Sequence, residues 1–332
     1  AGSLDQGTGP TQAFAGLESL LGNGDNDTFV FSGGSMEGSV AGGAGANLLS
    51  YVGTVGAVTV NLNNATATNV GTTFASITGM IGNGEQSQLI GLDAGSTWTI
   101  GADITDSNAD GFAFDNVATL TGGTGVDTFN VIANNIDVLI ADGGAGNDVF
   151  NLQADTLAAF SGNADNDTFN VQANSSAILS GGAGADTFAV QEGFTASSID
   201  GGAGIDSLAA LGDAGTDNTW TITGPDAGTL DQGTGPLQAF AGLEGLQGDG
   251  DNDTFVFDGT GRMSGTVDGG AGVDLLNFST SAEIVNLNLA SATAGTATNV
   301  GAPAAVQLFS NMESVLGNGG ELTAAYNDVS LA

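Results

Sequence analysis

The side chains best placed to do chemistry are aspartates that close glycine-rich turns. Nine turns of one type end at Asp27, Asn47, Asp127, Asp148, Asp167, Asp186, Asp206, Asp253 and Asp274. Their successive spacings are 20, 80, 21, 19, 19, 20, 47 and 21 residues, and the gap of 80 holds a degenerate GNGE at 82–85. A short apolar strand follows most of the turns, as in Thr168-Phe169-Asn170-Val171. The underlying unit is therefore about 20 residues, too short to bury an apolar face alone, so the units must stack.

Stacked coils lie about 4.8 Å apart. Asp127, Asp148, Asp167, Asp186 and Asp206 then form a column of carboxylates. Two like charges at that spacing repel by roughly 1 kcal/mol in water and about 3–4 kcal/mol at an intermediate dielectric. No cationic side chains are at hand to offset this. The chain has 1 Lys/Arg (Arg262) against 37 Asp+Glu, a net charge of −36. A hard divalent cation would relieve the column, and calcium takes about six to eight oxygens from carboxylates and carbonyls. Glycine would let the turn backbone reach positive φ and aim carbonyls inward.

The same composition excludes much else. One Arg cannot displace counterions from nucleic-acid phosphates, nor hold an anionic membrane surface. With no His and no Cys, imidazole and thiol catalysis, zinc and haem sites built on those ligands, and disulfides are all out. No apolar run approaches the length of a membrane span. High glycine and high charge raise disorder as a possibility. Against it stand 41% hydrophobic residues and 17 Phe.

The elements that must position the turns follow from register. If the turns align, Phe129, Phe150, Phe169 and Phe188 fall at one place in four coils, with Val131, Leu152, Val171 and Val190 two residues on. Two interior ladders result, each side chain worth roughly 1.5–3 kcal/mol of burial. Helical periodicity is absent. The expected fold is all-β, a parallel β-solenoid of about 20 residues per coil with one Gly-Asp turn per coil. The stretches 51–81, 92–120, 207–240 and 279–310 depart from the unit and are expected as coils with lateral loops. Trp98 and Trp220 begin equivalent strands there and read as packing residues.

A larger repeat overlies the small one. Residues 1–31 and 227–257 differ at only 5 of 31 positions. The expected organisation is a first module over 1–91, a central stretch of tandem coils over 92–226, and a second copy of the module over 227–332. One continuous solenoid is the simplest arrangement of these three.

The turns GGAGND-V-F-N, GGAGAD-T-F-A and GGTGVD-T-F-N resemble the RTX nonapeptide, the hemolysin-type calcium-binding repeat. The resemblance covers the nine turns. It implies a calcium-loaded parallel β-roll and secretion from a Gram-negative bacterium. Carried over residue by residue, the bridging carboxylates are Asp27, Asp127, Asp148, Asp167, Asp186, Asp206, Asp253 and Asp274. Asp25, Asp165, Asp249 and Asp251 lie in the same turns. Asp142, Asp200 and Asp268 precede the glycine pair and could reach a neighbouring ion. Turns in that family recur every nine residues, on both sides of a coil. Here they recur about every 20, so one column of calcium ions is expected rather than two. Asn47 and Glu85 stand where the family has Asp. Separately, DSNADG at 106–111 matches the start of an EF-hand-like loop through Asp106, Asn108 and Asp110.

The whole pattern is similar to giant repetitive bacterial surface proteins: RTX-type adhesins, biofilm matrix fibres and S-layers. The expected function is a calcium-stabilised structural segment of an extracellular, cell-surface filament, adhesin or matrix protein, with no enzymatic activity. Its expected partners are copies of itself, stacked head to tail through open strand edges, and surface glycans. A calcium-dependent carbohydrate-binding module is the alternative, and Trp98, Trp220, Tyr51 and Tyr326 are its only aromatic candidates. A β-helix polysaccharide-degrading enzyme is the third reading. Such enzymes use paired carboxylates.

Overall fold

A computed structural model describes residues 2–4, 12–14, 18–103, 105–134, 138, 140–156, 158–192, 194–212, 215–233, 236–299, 306–319 and 322–324. Its described elements are all β-strands, and no helix among them is long and apolar enough to cross a membrane. The chain divides into two compact units. The first is Ala1–Asp148 with Thr156–Phe160, and the second is Val149–Asp155 with Ser161–Ala332. Each is a β-solenoid of stacked, mainly parallel strands.

In the second unit, Val149–Leu152, Thr168–Val171, Thr187–Gln191 and Ser207–Leu211 pair in parallel and in register. Phe150 lies against Phe169 and Phe169 against Phe188. The ring centroids are 4.6 and 4.7 Å apart and the planes 8° and 11° from parallel. Leu152, Val171 and Val190 form the expected second ladder. Alternation decides the faces: Phe and Val point in, Thr and Asn point out. Outward side chains also pair across coils, as where the Asn170 amide donates to Asn151 Oδ1 at 2.8 Å.

The first unit repeats this logic. Thr28–Val30, Leu48–Ser50 and the start of Gly79–Ile90 stack in parallel, and the latter strand pairs with Phe112–Thr121. Thr97–Ile100 pairs with Thr128–Val131, and Trp98 stacks flat on Phe129 at 5.4 Å. In the second unit Trp220 does the same with Phe255 at 5.5 Å. Both Trp are fully buried, as packing residues should be.

The irregular stretches are more than lateral loops. In the second unit Thr219–Gly224, Ala227–Asp231 and Gln238–Ala241 form an antiparallel run. Its first strand supports Thr254–Phe257 and its last lies on Ser198–Gly204. Val285–Leu289, Gly295–Asn299 and Val306–Ser310 repeat the device. In the first unit Thr97–Ile100, Asn108–Ala109 and Phe112–Thr121 do likewise.

The insertion also moves the turn. Ser207–Leu211 follows the turn of its coil, yet Gly245–Gln247, which stacks on it, precedes the next one. The simple alignment of every Gly-Asp turn therefore breaks after Asp206, as it does in the first unit after Asn47, where Leu48–Ser50 carries residues 79–81.

The turn motif itself has a local cause. In several turns the second and fourth residues adopt left-handed backbone: Gly182 (φ 111°) and Gly184 (φ 149°) in one coil, Asn163 and Asp165 (both φ 74°) in another. Only Gly, Asn and Asp take that conformation at low cost.

Candidate functional site

The turn aspartates face inward. Asp127, Asp148, Asp186, Asp206, Asp253 and Asp274 are 0% exposed and Asp167 is 1%. Each side chain folds back over its own turn, and Asp127, Asp148, Asp186, Asp206 and Asp274 each take a main-chain N–H from the neighbouring coil. In the second unit the N–H of Asp167 donates to Asp186 Oδ1, and that of Asp186 to Asp206 Oδ1, both at 2.7 Å. Asp253 N–H donates to Asp274 Oδ1 at 2.7 Å. In the first unit Ser96 N–H donates to Asp127 Oδ1 and Asp127 N–H to Asp148 Oδ1, again at 2.7 Å. The buried column is a side-chain-to-backbone ladder, which satisfies the N–H that each turn would otherwise bury unpaired.

In three turns the second carboxylate oxygen serves the turn itself. Oδ2 of Asp27, Asp127 and Asp253 accepts the N–H four residues back, at 2.9, 2.8 and 3.0 Å. Trp98 Nε1 adds a longer bond to Asp127 Oδ1 at 3.2 Å.

Several rungs escape a search for aspartate. Asn47 Oδ1 accepts the Asp27 N–H at 2.9 Å. In the second unit Glu244 and Glu313 accept the N–H of Asp206 and Asp274 at 2.7 and 2.8 Å. The signal for these was present: Glu18, Glu244 and Glu313 occupy one place in the repeats FAGLESL, FAGLEGL and FSNMESV. A second ladder runs beside the first. Asn26, Asn166 and Asn252, each just before the turn Asp, accept the N–H of Ala46, Ala185 and Val273 at 2.7, 2.7 and 2.9 Å.

The remaining acids do not converge. Asp25, Asp165 and Asp200 are exposed, and Asp142 is half-buried on the strand Ile140–Ala145. Asp249 Oδ1 accepts the Asp251 N–H at 3.0 Å, and Asp251 Oδ2 accepts the Gly215 N–H at 2.9 Å. Asp268 Oδ1 accepts from the Asn311 amide at 2.7 Å. The 106–111 segment is a two-residue hairpin rather than a helix-flanked loop. Asp110 and Gly111 have φ of 50° and 85°, with Asn108 opposite Ala113, the Asp-Gly turn that suits a tight hairpin. Asp110 Oδ1 accepts the Thr97 N–H, Asn108 Oδ1 the Gly111 N–H, and Asp106 is exposed.

These residues do not fit a calcium column. The ion needs about six to eight oxygens turned toward one point. Here the column oxygens turn to main-chain N–H groups or lie against the turn glycines. Among the described residues no three acidic side chains gather closely enough to hold an ion.

Burial controls the charge of this ladder. It pushes Asp253 up to about 7, with the charges of Asp249 and Asp274 adding to the effect. It pushes Asp274 up to about 6, helped by Glu313, Asp249 and Asp268. Burial also raises Asp127, Asp186 and Asp206. A carboxyl raised in the folded state binds a proton on folding. Its stabilisation is complete below the unfolded value near 3.9 and is lost as pH rises through the folded value. The melting temperature is therefore expected to fall as pH goes from about 5 to about 8. Thermal melts across that range in chelator check this, and a Tm that climbs with pH would contradict it.

The shallow recess lined by Leu211, Gly212, Gln247 and Asp249 is wide open and holds no convergent acid–base pair. No family model matches the chain, and no curated protein does.

Proposed function

We propose that this chain is a structural repeat segment of a secreted bacterial filament, adhesin or extracellular matrix protein. It works by length and by association with copies of itself, without catalysis. One observation carries the reading: the side chains able to do chemistry are spent on the coil. The turn carboxylates accept main-chain N–H groups between coils, and Tyr51, Trp98 and Trp220 are fully buried. A ligand-stacking strip would need such rings at the surface. Tyr326 lies outside the described residues. The near-identical modules beginning at residues 1 and 227 suit a protein that extends by repetition.

Calcium acts on such a segment as a counterion for exposed carboxylates such as Asp25, Asp165 and Asp200, lowering repulsion between copies. Electron microscopy and light scattering test the reading. Thin, unbranched assemblies are expected to lengthen with protein concentration and to loosen in chelator. Monodisperse protein in millimolar calcium that binds a polysaccharide would favour the carbohydrate-binding alternative. Release of reducing ends from the polysaccharide would favour the enzyme.

A further inference from the structure

Two turns without a column aspartate show what the column position asks of its side chain. Asn47 accepts the Asp27 N–H at Oδ1, and its Nδ2 donates to the Ser76 carbonyl of the following coil at 3.0 Å. Ser87 Oγ lies 2.9 Å from the Asn116 carbonyl, again in the following coil. These two carbonyls hold a fixed place in the architecture. Each is the atom that a methyl on the first glycine of its turn, Gly42 or Gly82, would strike first.

The same place recurs at the aspartates. A methyl on Gly181 would strike the Gly201 carbonyl and Asp186 Oδ2. At Gly201 the pair is the Gly242 carbonyl and Asp206, and at Gly269 it is the Asn311 carbonyl and Asp274 Oδ2. Oδ2 of Asp186, Asp206 and Asp274 is buried and has no hydrogen-bond partner. An ionised carboxylate there sets a bare acceptor beside another acceptor, at the cost of an unpaired buried charge. Asparagine and serine at that position instead supply a hydrogen.

We infer that Asp186, Asp206 and Asp274 are metal-free donor–acceptor rungs. Each accepts an N–H from the preceding coil at Oδ1. Each donates a solvent-derived proton, carried on Oδ2, to the main-chain carbonyl of the following coil.

The surroundings favour the neutral acid. The charges acting on Asp206 are those of Asp186 and Asp200, and the Glu244 carboxylate takes its N–H. Those acting on Asp274 are Glu313, Asp249 and Asp268. Asp186 is raised by burial itself. No cationic side chain is among the groups that shift any of the three.

The test uses the full chain in chelator near neutral pH. Asp186→Asn, Asp206→Asn and Asp274→Asn keep the Oδ1 acceptor and supply a permanent donor, as Asn47 does. Each is expected to raise Tm by about 2–4 °C and to flatten its decline with pH. Added calcium should shift parent and variants equally. Infrared difference spectra of the unmodified protein should show a protonated-carboxyl stretch that fades as pH rises from about 5 to about 8, a reading that does not depend on any variant folding. Variants that melt below the parent in chelator would overturn the inference. So would a calcium-induced stabilisation of the parent that the variants lose, or a missing carboxyl stretch.

Discussion

Phe169→Ala should cost about 3–5 kcal/mol of unfolding free energy, the range for emptying a buried aromatic site. The ring is fully buried between Phe150 and Phe188, at 4.6 and 4.7 Å. Its removal takes contacts from two neighbours at once. The backbone above and below is held in register by the parallel pairing of Thr168–Val171 with both adjacent strands, so the coil cannot collapse into the space. Denaturant unfolding checks the value. Phe169→Leu, which refills much of the volume, should recover more than half of the loss. A cost below about 1 kcal/mol would mean that the stack is not the core of the unit.

Gly181→Ala should be the second severe change, at about 1–3 kcal/mol or more for overpacking against rigid groups. The added methyl meets the Gly201 carbonyl and the Asp186 carboxyl together. The carbonyl belongs to main chain paired along Ile178–Gly184 and Ser198–Gly204, so it cannot step aside. Gly181 has no positive φ, which leaves crowding as the cause. Combining Gly181→Ala with Asp186→Ala should cost less than the sum of the two, since the second substitution clears half of the obstruction. Full additivity from denaturation midpoints would show that the methyl finds room elsewhere.

The solenoid was legible because two periods agree. Alternation set the inward face of each strand, and the recurrence of Phe150, Phe169 and Phe188 at about 20 residues set the stacking register. The antiparallel excursions were not legible. The runs TWTI at 97–100 and TWTIT at 219–223 read as strands, but nothing local says that a third strand will pair backward to bridge two columns. Such pairing is decided by tertiary contacts.

The column positions were legible and their chemistry was not. Spacing shows that aspartates stack, yet not where the two oxygens of each will point. The glycine beside each Asp reads equally well as a residue that aims carbonyls at an ion and as one that makes room for a carboxyl folded back on the turn. Asn47 was the informative residue. Read as a degraded cation ligand, it looks like a defect; as a rung with a hydrogen to give, it is the plainest example of the design.

The strands within each unit run mainly parallel, so their hydrogen bonds point from coil to coil across the strands. A pull at right angles to the strands loads those bonds in series. Each coil is held chiefly by its nearest neighbours, so such a unit yields by peeling one coil at a time. Every detached coil lengthens the tether while the remaining stack keeps its register and can serve as the template for re-winding. On this geometry the ladder that locks neighbouring turns would give way under load in small, repeatable steps.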